Sequence, residues 1–171
     1  MEEDDERMSK LTSLEQTALL QRVTQFIWVE ADLLDRKDYD AWLTLWTQDG
    51  HYILPIGDIE DYQNVLNLAY DNAAMRRMRI DRFKAGFSIS SAPPAQTVRT
   101  LSRFVISAED DREVQVRCAQ HLVEDKFGRQ RLFAANVTYV LSRAGDGFLI
   151  RDKIVRLLNS DGILTSISYL F

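Results

Sequence analysis

The chain predicts an α+β domain in which N-terminal helices pack into the concave face of a strongly curved, mainly antiparallel sheet. Three observations carry this. The first half is dominated by helical spacing, with apolar residues three and four apart. The second half alternates strictly, with Val114, Val116, Cys118 and Leu122 on one face of a strand and Glu113, Gln115, Arg117 and His121 on the other. Last come two long strand-like runs, Arg131 to Arg143 and Phe148 to Asn159, joined by the tight turn Ala144-Gly145-Asp146-Gly147. A sheet of long strands preceded by helices buries both apolar faces when it curls over those helices into a cone.

At 171 residues the chain suits one domain. Its first residues carry Glu2, Glu3, Asp4, Asp5 and Glu6 and no apolar signal region, so 1–12 reads as a disordered acidic tail and 13–171 as the domain. Ser13 and Gln16 form a capping-box pattern that predicts a helix start. Leu19, Val23, Phe26, Ile27, Glu30 and Leu33/Leu34 then mark one face of a helix running to about Asp35. Asp38 caps a second helix, with Trp42, Leu45 and Trp46 on one side, which Asp49-Gly50 ends as an ordinary turn signal. His51 to Pro55 reads as the first strand, and Gly57 to Asn67 is ambiguous.

From about Asp71 to Lys84 strong helix formers predict a third helix, with Met75, Met78 and Ile80 on the apolar side, Arg76, Arg77, Arg79 and Arg82 outside it, and Gly86 as the stop. After Pro93-Pro94, Thr97 to Ser107 starts the sheet proper; Asp110-Asp111 turns the chain. Phe133, Ala135, Val137, Tyr139 and Leu141 share one face of the next strand but one. The apolar ending, with Ile163, Leu164, Ile167, Leu170 and Phe171, calls for burial in the cone or at a subunit interface.

Composition narrows the function. A net charge of −5 with scattered basic residues argues against a nucleic-acid surface. No apolar run approaches the roughly 20 residues that span a bilayer, so no membrane partner is expected and the cytoplasm is the default location. The single cysteine, Cys118, excludes an internal disulfide and reads as a buried small hydrophobe. His51 and His121 stand far apart without a second His or Cys nearby, so no metal signature is present. Trp28, Trp42 and Trp46, at helical spacing, read as core.

Four stretches in order carry a resemblance: YDAWLTLWTQDGHYILP, YDNAAMRRMRIDRFKAG, PPAQTVRTLSRFVI and GDGFLIRDKIVRLLN with the apolar C-terminus. Over roughly residues 15 to 171 the chain resembles the small (beta) subunit of aromatic-ring-hydroxylating dioxygenases, which belongs to the nuclear-transport-factor-2-like, cystatin-like superfamily. The resemblance implies a structural, non-catalytic subunit that supports a large (alpha) subunit carrying a Rieske 2Fe–2S cluster and a mononuclear iron. It also implies an assembly of three large and three small subunits, fed electrons by a reductase, sometimes through a ferredoxin. This chain's own two histidines and one cysteine agree, since they cannot supply either iron site. His121 and Asp152 depart from the expected pattern of apolar and small residues at their positions.

The rival reading is a stand-alone isomerase or dehydratase, because the same scaffold can hold a general base in an apolar pocket. Asp32, Asp35, Tyr52 and His121 are its candidates. On the subunit reading no residue is catalytic or binds a cofactor, and Arg76, Arg79, Arg82, Arg99, Arg103, Leu170 and Phe171 are the interface candidates, the arginines facing partner carboxylates.

Overall fold

A computed structural model describes residues 2–58, 60–89, 93–158 and 170–171. In order these form α1 (Glu2–Asp35), α2 (Tyr39–Leu43), β1 (Trp46–Pro55), β2 (Asn67–Asp71), α3 (Ala73–Ile89), β3 (Gln96–Glu109), β4 (Glu113–Lys126), β5 (Arg129–Ala144) and β6 (Gly147–Leu157). The strands make one sheet in the order β2-β1-β6-β5-β4-β3. β3 to β6 is the antiparallel meander expected, β1 joins it parallel to β6, and β2 closes the far edge antiparallel to β1.

α1 lays Leu19, Val23, Ile27, Ala31 and Leu34 in the core at four- and three-residue steps, with Glu30 buried among them. The helix starts at Glu2 rather than at Ser13, so the stretch read as a tail continues it; the Ser13 carbonyl accepts from the Thr17 hydroxyl within the helix (2.9 Å). It ends in a Schellman arrangement. Lys37 takes a left-handed φ of 60°, its N–H donates to the Leu34 carbonyl, and Asp38 N–H reaches back to Leu33.

Asp38 caps α2 as expected, its carboxylate accepting from Ala41 N–H, but the helix is one turn and a half and the chain is already extended at Trp46. Asp49-Gly50 is therefore not a turn. It lies inside β1, where a Cβ at Gly50 would meet the Arg151 carbonyl oxygen at 2.5 Å, so the glycine permits close approach to β6. β2 emerges from what read as the edge of a loop, and it claims Asp71 from the helix. α3 runs past Gly86 to Ile89: an exposed helical glycine costs only about 1 kcal/mol, too little to end a helix.

α3 buries Ile80 and leaves Arg77 and Arg82 exposed as expected, but two of its three apolar positions and one arginine are exchanged. Met75 and Met78 are exposed, whereas Arg76, with 2% of its surface accessible, lies buried beside Ile80. Trp28 also departs from the expected core, at 55% exposure, meeting only the edge of Phe104 (6.1 Å between centroids). Trp42 and Trp46 do pack in the core, edge to face at 5.2 Å.

In the meander the predicted faces hold: Val114, Val116, Cys118 and Leu122 of β4, and Phe133, Ala135, Val137, Tyr139 and Leu141 of β5, are all buried. β6 breaks its own alternation. Val140 pairs with Asp152 but Leu141 with Ile150, leaving Arg151 as the extra residue of a bulge. The bulge turns Lys153, Val155 and Leu157 inward, where a plain period of two from Ile150 would place Asp152 and Ile154.

Candidate functional site

The cone interior holds a polar cluster that four elements supply. Glu30 comes from the buried stripe of α1, Trp42 from α2, Tyr139 from β5 and Lys153 from β6. Glu30 Oε1 accepts from Trp42 Nε1 (2.8 Å) and Lys153 Nζ (2.7 Å); Oε2 accepts from Lys153 Nζ (3.0 Å) and the Tyr139 hydroxyl (3.0 Å). Each oxygen thus has two donors, which fills the acceptor capacity of a carboxylate. Glu30 is 1% exposed and Lys153 wholly buried. Burial pushes the Lys153 ammonium below its ordinary range, with the Glu30 charge working the other way, and it pushes the Tyr139 hydroxyl well up. A carboxylate so occupied and so sealed has no free lone pair to take a proton from a substrate. It is an internal ion pair that ties the helices to the sheet.

A second buried cation seals the region where α1 ends. The Arg99 guanidinium pairs with Asp35 and donates to the Leu170 carbonyl, while Asp35 also accepts from the Thr97 hydroxyl (2.9 Å) and from Arg99 N–H (2.8 Å). Phe171 N–H donates to the Tyr52 hydroxyl (3.1 Å), and its ring meets the edge of Phe133 (5.3 Å). Arg99, Leu170 and Phe171, singled out as interface candidates, thus make their contacts inside the chain, and Leu170 and Phe171 are buried there. Ile163, Leu164 and Ile167 lie outside the described residues.

The candidates for a general base are not brought together. Asp32 is on the outer face of α1, its side chain 61% exposed and paired with Arg36 one turn on (3.1 Å). His121 is exposed, on the face of β4 opposite Leu122. Tyr52 is in the core, where burial raises its hydroxyl to about 12. Asp35 is committed to Arg99 and Thr97. The buried carboxylate that a pocket base would have required is Glu30, which the spacing of α1 displayed as the one charged member of an apolar stripe. Lys153 carried no such signal, since the bulge that turns it inward is not written in the alternation of β6.

Of the remaining arginines, Arg79 grips Asp71 with two bonds (Nε to Oδ2, 2.5 Å; NH2 to Oδ1, 2.9 Å). Arg82 is exposed. Arg103, at a left-handed φ of 56° in the β3 bulge, donates to Asn136 Oδ1 (2.6 Å); the bulge also parts it from the strand parity of Arg99 and Leu101. Arg76 donates to the carbonyls of Gly50, Asp71 (3.2 Å) and Thr47 (3.4 Å) and stacks over Trp46 at 4.1 Å.

The donor set does not fit an iron centre. Cys118 is buried, with its thiol raised to about 12, and His51 stacks on Tyr70 (5.0 Å) with Nδ1 3.7 Å from Asp152. Among the described residues no three His, Cys, Asp or Glu side chains stand close enough to share a metal ion. Nor is any helix of the described residues long and apolar enough to cross a membrane.

Fold and interior together define a cone-shaped α+β domain whose centre is occupied by a bonded ion pair. The chain belongs to the ring-hydroxylating beta subunit family, whose sequence profile matches residues 29–161. It is 26% identical over 144 residues to the anthranilate 1,2-dioxygenase small subunit of Acinetobacter baylyi, covering 80% of this chain and 88% of that one. It is 25% identical to the biphenyl 2,3-dioxygenase subunit beta of Rhodococcus jostii, covering 90% of this chain and 89% of the relative. The beta subunit of the benzoate 1,2-dioxygenase from Burkholderia mallei superposes with a TM-score of 0.74 at 24% identity, over 86% of this chain and 95% of that one, and carries the likeness of fold.

Proposed function

We propose that this chain is the structural, non-catalytic small subunit of an aromatic-ring-hydroxylating dioxygenase acting in aromatic catabolism in the cytoplasm. Its partner is a large subunit that holds the Rieske 2Fe–2S cluster and the mononuclear iron, and therefore the pocket for the aromatic ring. Three large and three small subunits assemble, with the small subunits touching one another, and a reductase, with or without a ferredoxin, feeds the complex. The observation that carries the reading is membership of the beta-subunit family across most of the chain. Supporting it, the Glu30 carboxylate buried in the cone is saturated by Trp42, Tyr139 and Lys153, and the buried acids Asp71 and Glu124 are paired with Arg79 and Arg131, so none of the three stands free to act as a base.

The test is co-expression with a Rieske-type large subunit from the neighbouring reading frame. The expected result is a mixed oligomer in which turnover needs the large subunit's iron. Isomerase or dehydratase turnover by the purified chain alone, with no large subunit bound, would replace this reading with the enzyme one.

A further inference from the structure

Arg76 is a buried cation that, among the described residues, makes no ion pair of its own. Its guanidinium meets three backbone carbonyls and the face of Trp46, but among the described residues no carboxylate comes within ion-pairing distance. The acids whose charges reach Arg76 are engaged elsewhere, Asp71 by Arg79 and Asp152 by Arg151 (3.1 Å), and Asp40 is held by Arg77 (3.2 Å) and Lys84 (2.6 Å). Two buried donors here, Arg76 Nε and Trp46 Nε1, meet no acceptor among the described residues. Native proteins rarely leave such donors unmet without a reason.

These groups border an open cleft of ≈ 520 Å³ between α3, the start of β1 and β6. Among the described residues its lining has Arg76 and Arg77 as the charged members and no Asp or Glu, with Leu43, Ala73 and Leu149 as apolar walls. The first residue of α3, Ala73, lies in it, so the positive end of that helix dipole adds to the same field. A site that is cationic at its floor, apolar at its sides and open above suits an Asp or Glu side chain on a folded surface, flanked by apolar neighbours.

We propose that this cleft receives an acidic side chain of the large subunit, and that the Arg76–Arg77 pair is its docking point. The inference rests on the reading of the chain as a small subunit and goes further by fixing one contact and its chemistry.

The test fills the cleft from this chain's own side. Ala73→Glu places a carboxylate there, at a first-turn position where helices favour one; Gln48→Glu does so from β1 at an exposed cleft residue. Ala85→Glu, exposed at the other end of α3, is the control. Binding of each purified variant to the large subunit is measured, with circular dichroism and melting to show that it is folded. The expected result is a loss of affinity on the order of 100-fold for Ala73→Glu or Gln48→Glu and none for Ala85→Glu. Wild-type binding that persists unchanged in both folded cleft variants overturns the inference alone. So does a variant that keeps the large subunit but loses contact between small-subunit copies, which would assign the cleft to a second copy. A wild-type chain that binds no large subunit overturns the functional reading, and this inference with it.

Discussion

Lys153 and Arg76 are both cations taken out of water, and the fold treats them in opposite ways. Inside the cone, Lys153 sits 2.7 Å from Glu30, and two neutral donors fill the rest of the carboxylate. Beneath the α3 cleft, Arg76 bonds to carbonyl dipoles and lies over an aromatic face, and no carboxylate among the described residues pairs with it. Burial lowers the proton affinity of both, Arg76 to about 10. The contrast separates two uses of charge in one small domain: a completed pair that orders the interior, and an incomplete one at the surface that a partner can complete.

The largest effect is expected at Lys153. Lys153→Met leaves Glu30 charged and buried with no cation, and such a stranded partner costs about 3–5 kcal/mol. Glu30→Gln combined with Lys153→Met removes both charges and should recover most of that loss. Urea denaturation of the isolated chain reads the difference. A double variant no more stable than the single one would mean that Lys153 contributes by packing and not as half of a pair.

A pH measurement sharpens the claim that the interior is sealed. Cys118 keeps its proton in the folded chain up to about 12, whereas the unfolded chain loses it near 9.0. Because the folded value is the raised one, the stability linked to this proton is fully present below pH 9.0 and is lost as pH climbs toward 12. The stability difference between wild type and Cys118→Ala should therefore shrink by about 2 kcal/mol between roughly pH 9 and 11. Taking that difference cancels the tyrosines, which act in the same direction, and Lys153, which acts in the other. A difference that stays flat across the window would show water reaching the strand face that Cys118 shares with Leu122 and Val116.

At Arg76 a smaller cost is expected. Arg76→Met forfeits hydrogen bonds to three carbonyls but strands no opposite charge, and it relieves the desolvation of the guanidinium. A loss of about 1–2 kcal/mol follows, well below that of Lys153→Met. Equal losses at the two positions would erase the distinction between a paired and an unpaired cation.

The alternation of β4 and β5, and the stripe of α1, were legible because one face of each is buried and the period is undisturbed. Legibility failed wherever backbone geometry overrode pattern. The β6 bulge redirects Lys153, the contact between Gly50 and Arg151 turns an apparent Asp-Gly turn into mid-strand, and carbonyls of β1 make a buried place for Arg76 that its charge alone would never suggest. Three of the four members of the central cluster could be seen: Glu30 interrupts an apolar stripe, Trp42 lies on the core side of its short helix, and Tyr139 falls on the apolar face of its strand. Their partner across the cone could not, because the register of a bulged strand is set by its neighbours.

The smallest effects test the comparison from outside. Asp32 and His121 are charged or polar groups that the fold leaves in solvent, so neither belongs to the buried set. Asp32→Asn removes one exposed i,i+4 pair with Arg36, worth about 0.3–0.5 kcal/mol. His121→Ala changes the outward face of β4, where substitutions usually stay within about 0.5 kcal/mol. In the assembled oxygenase both variants should turn over aromatic substrate at close to the wild-type rate. A large fall in turnover with assembly intact, for either variant, would place a working group on the outer surface of the cone, and the contrast between the paired Lys153 and the unpaired Arg76 would no longer describe where this domain acts.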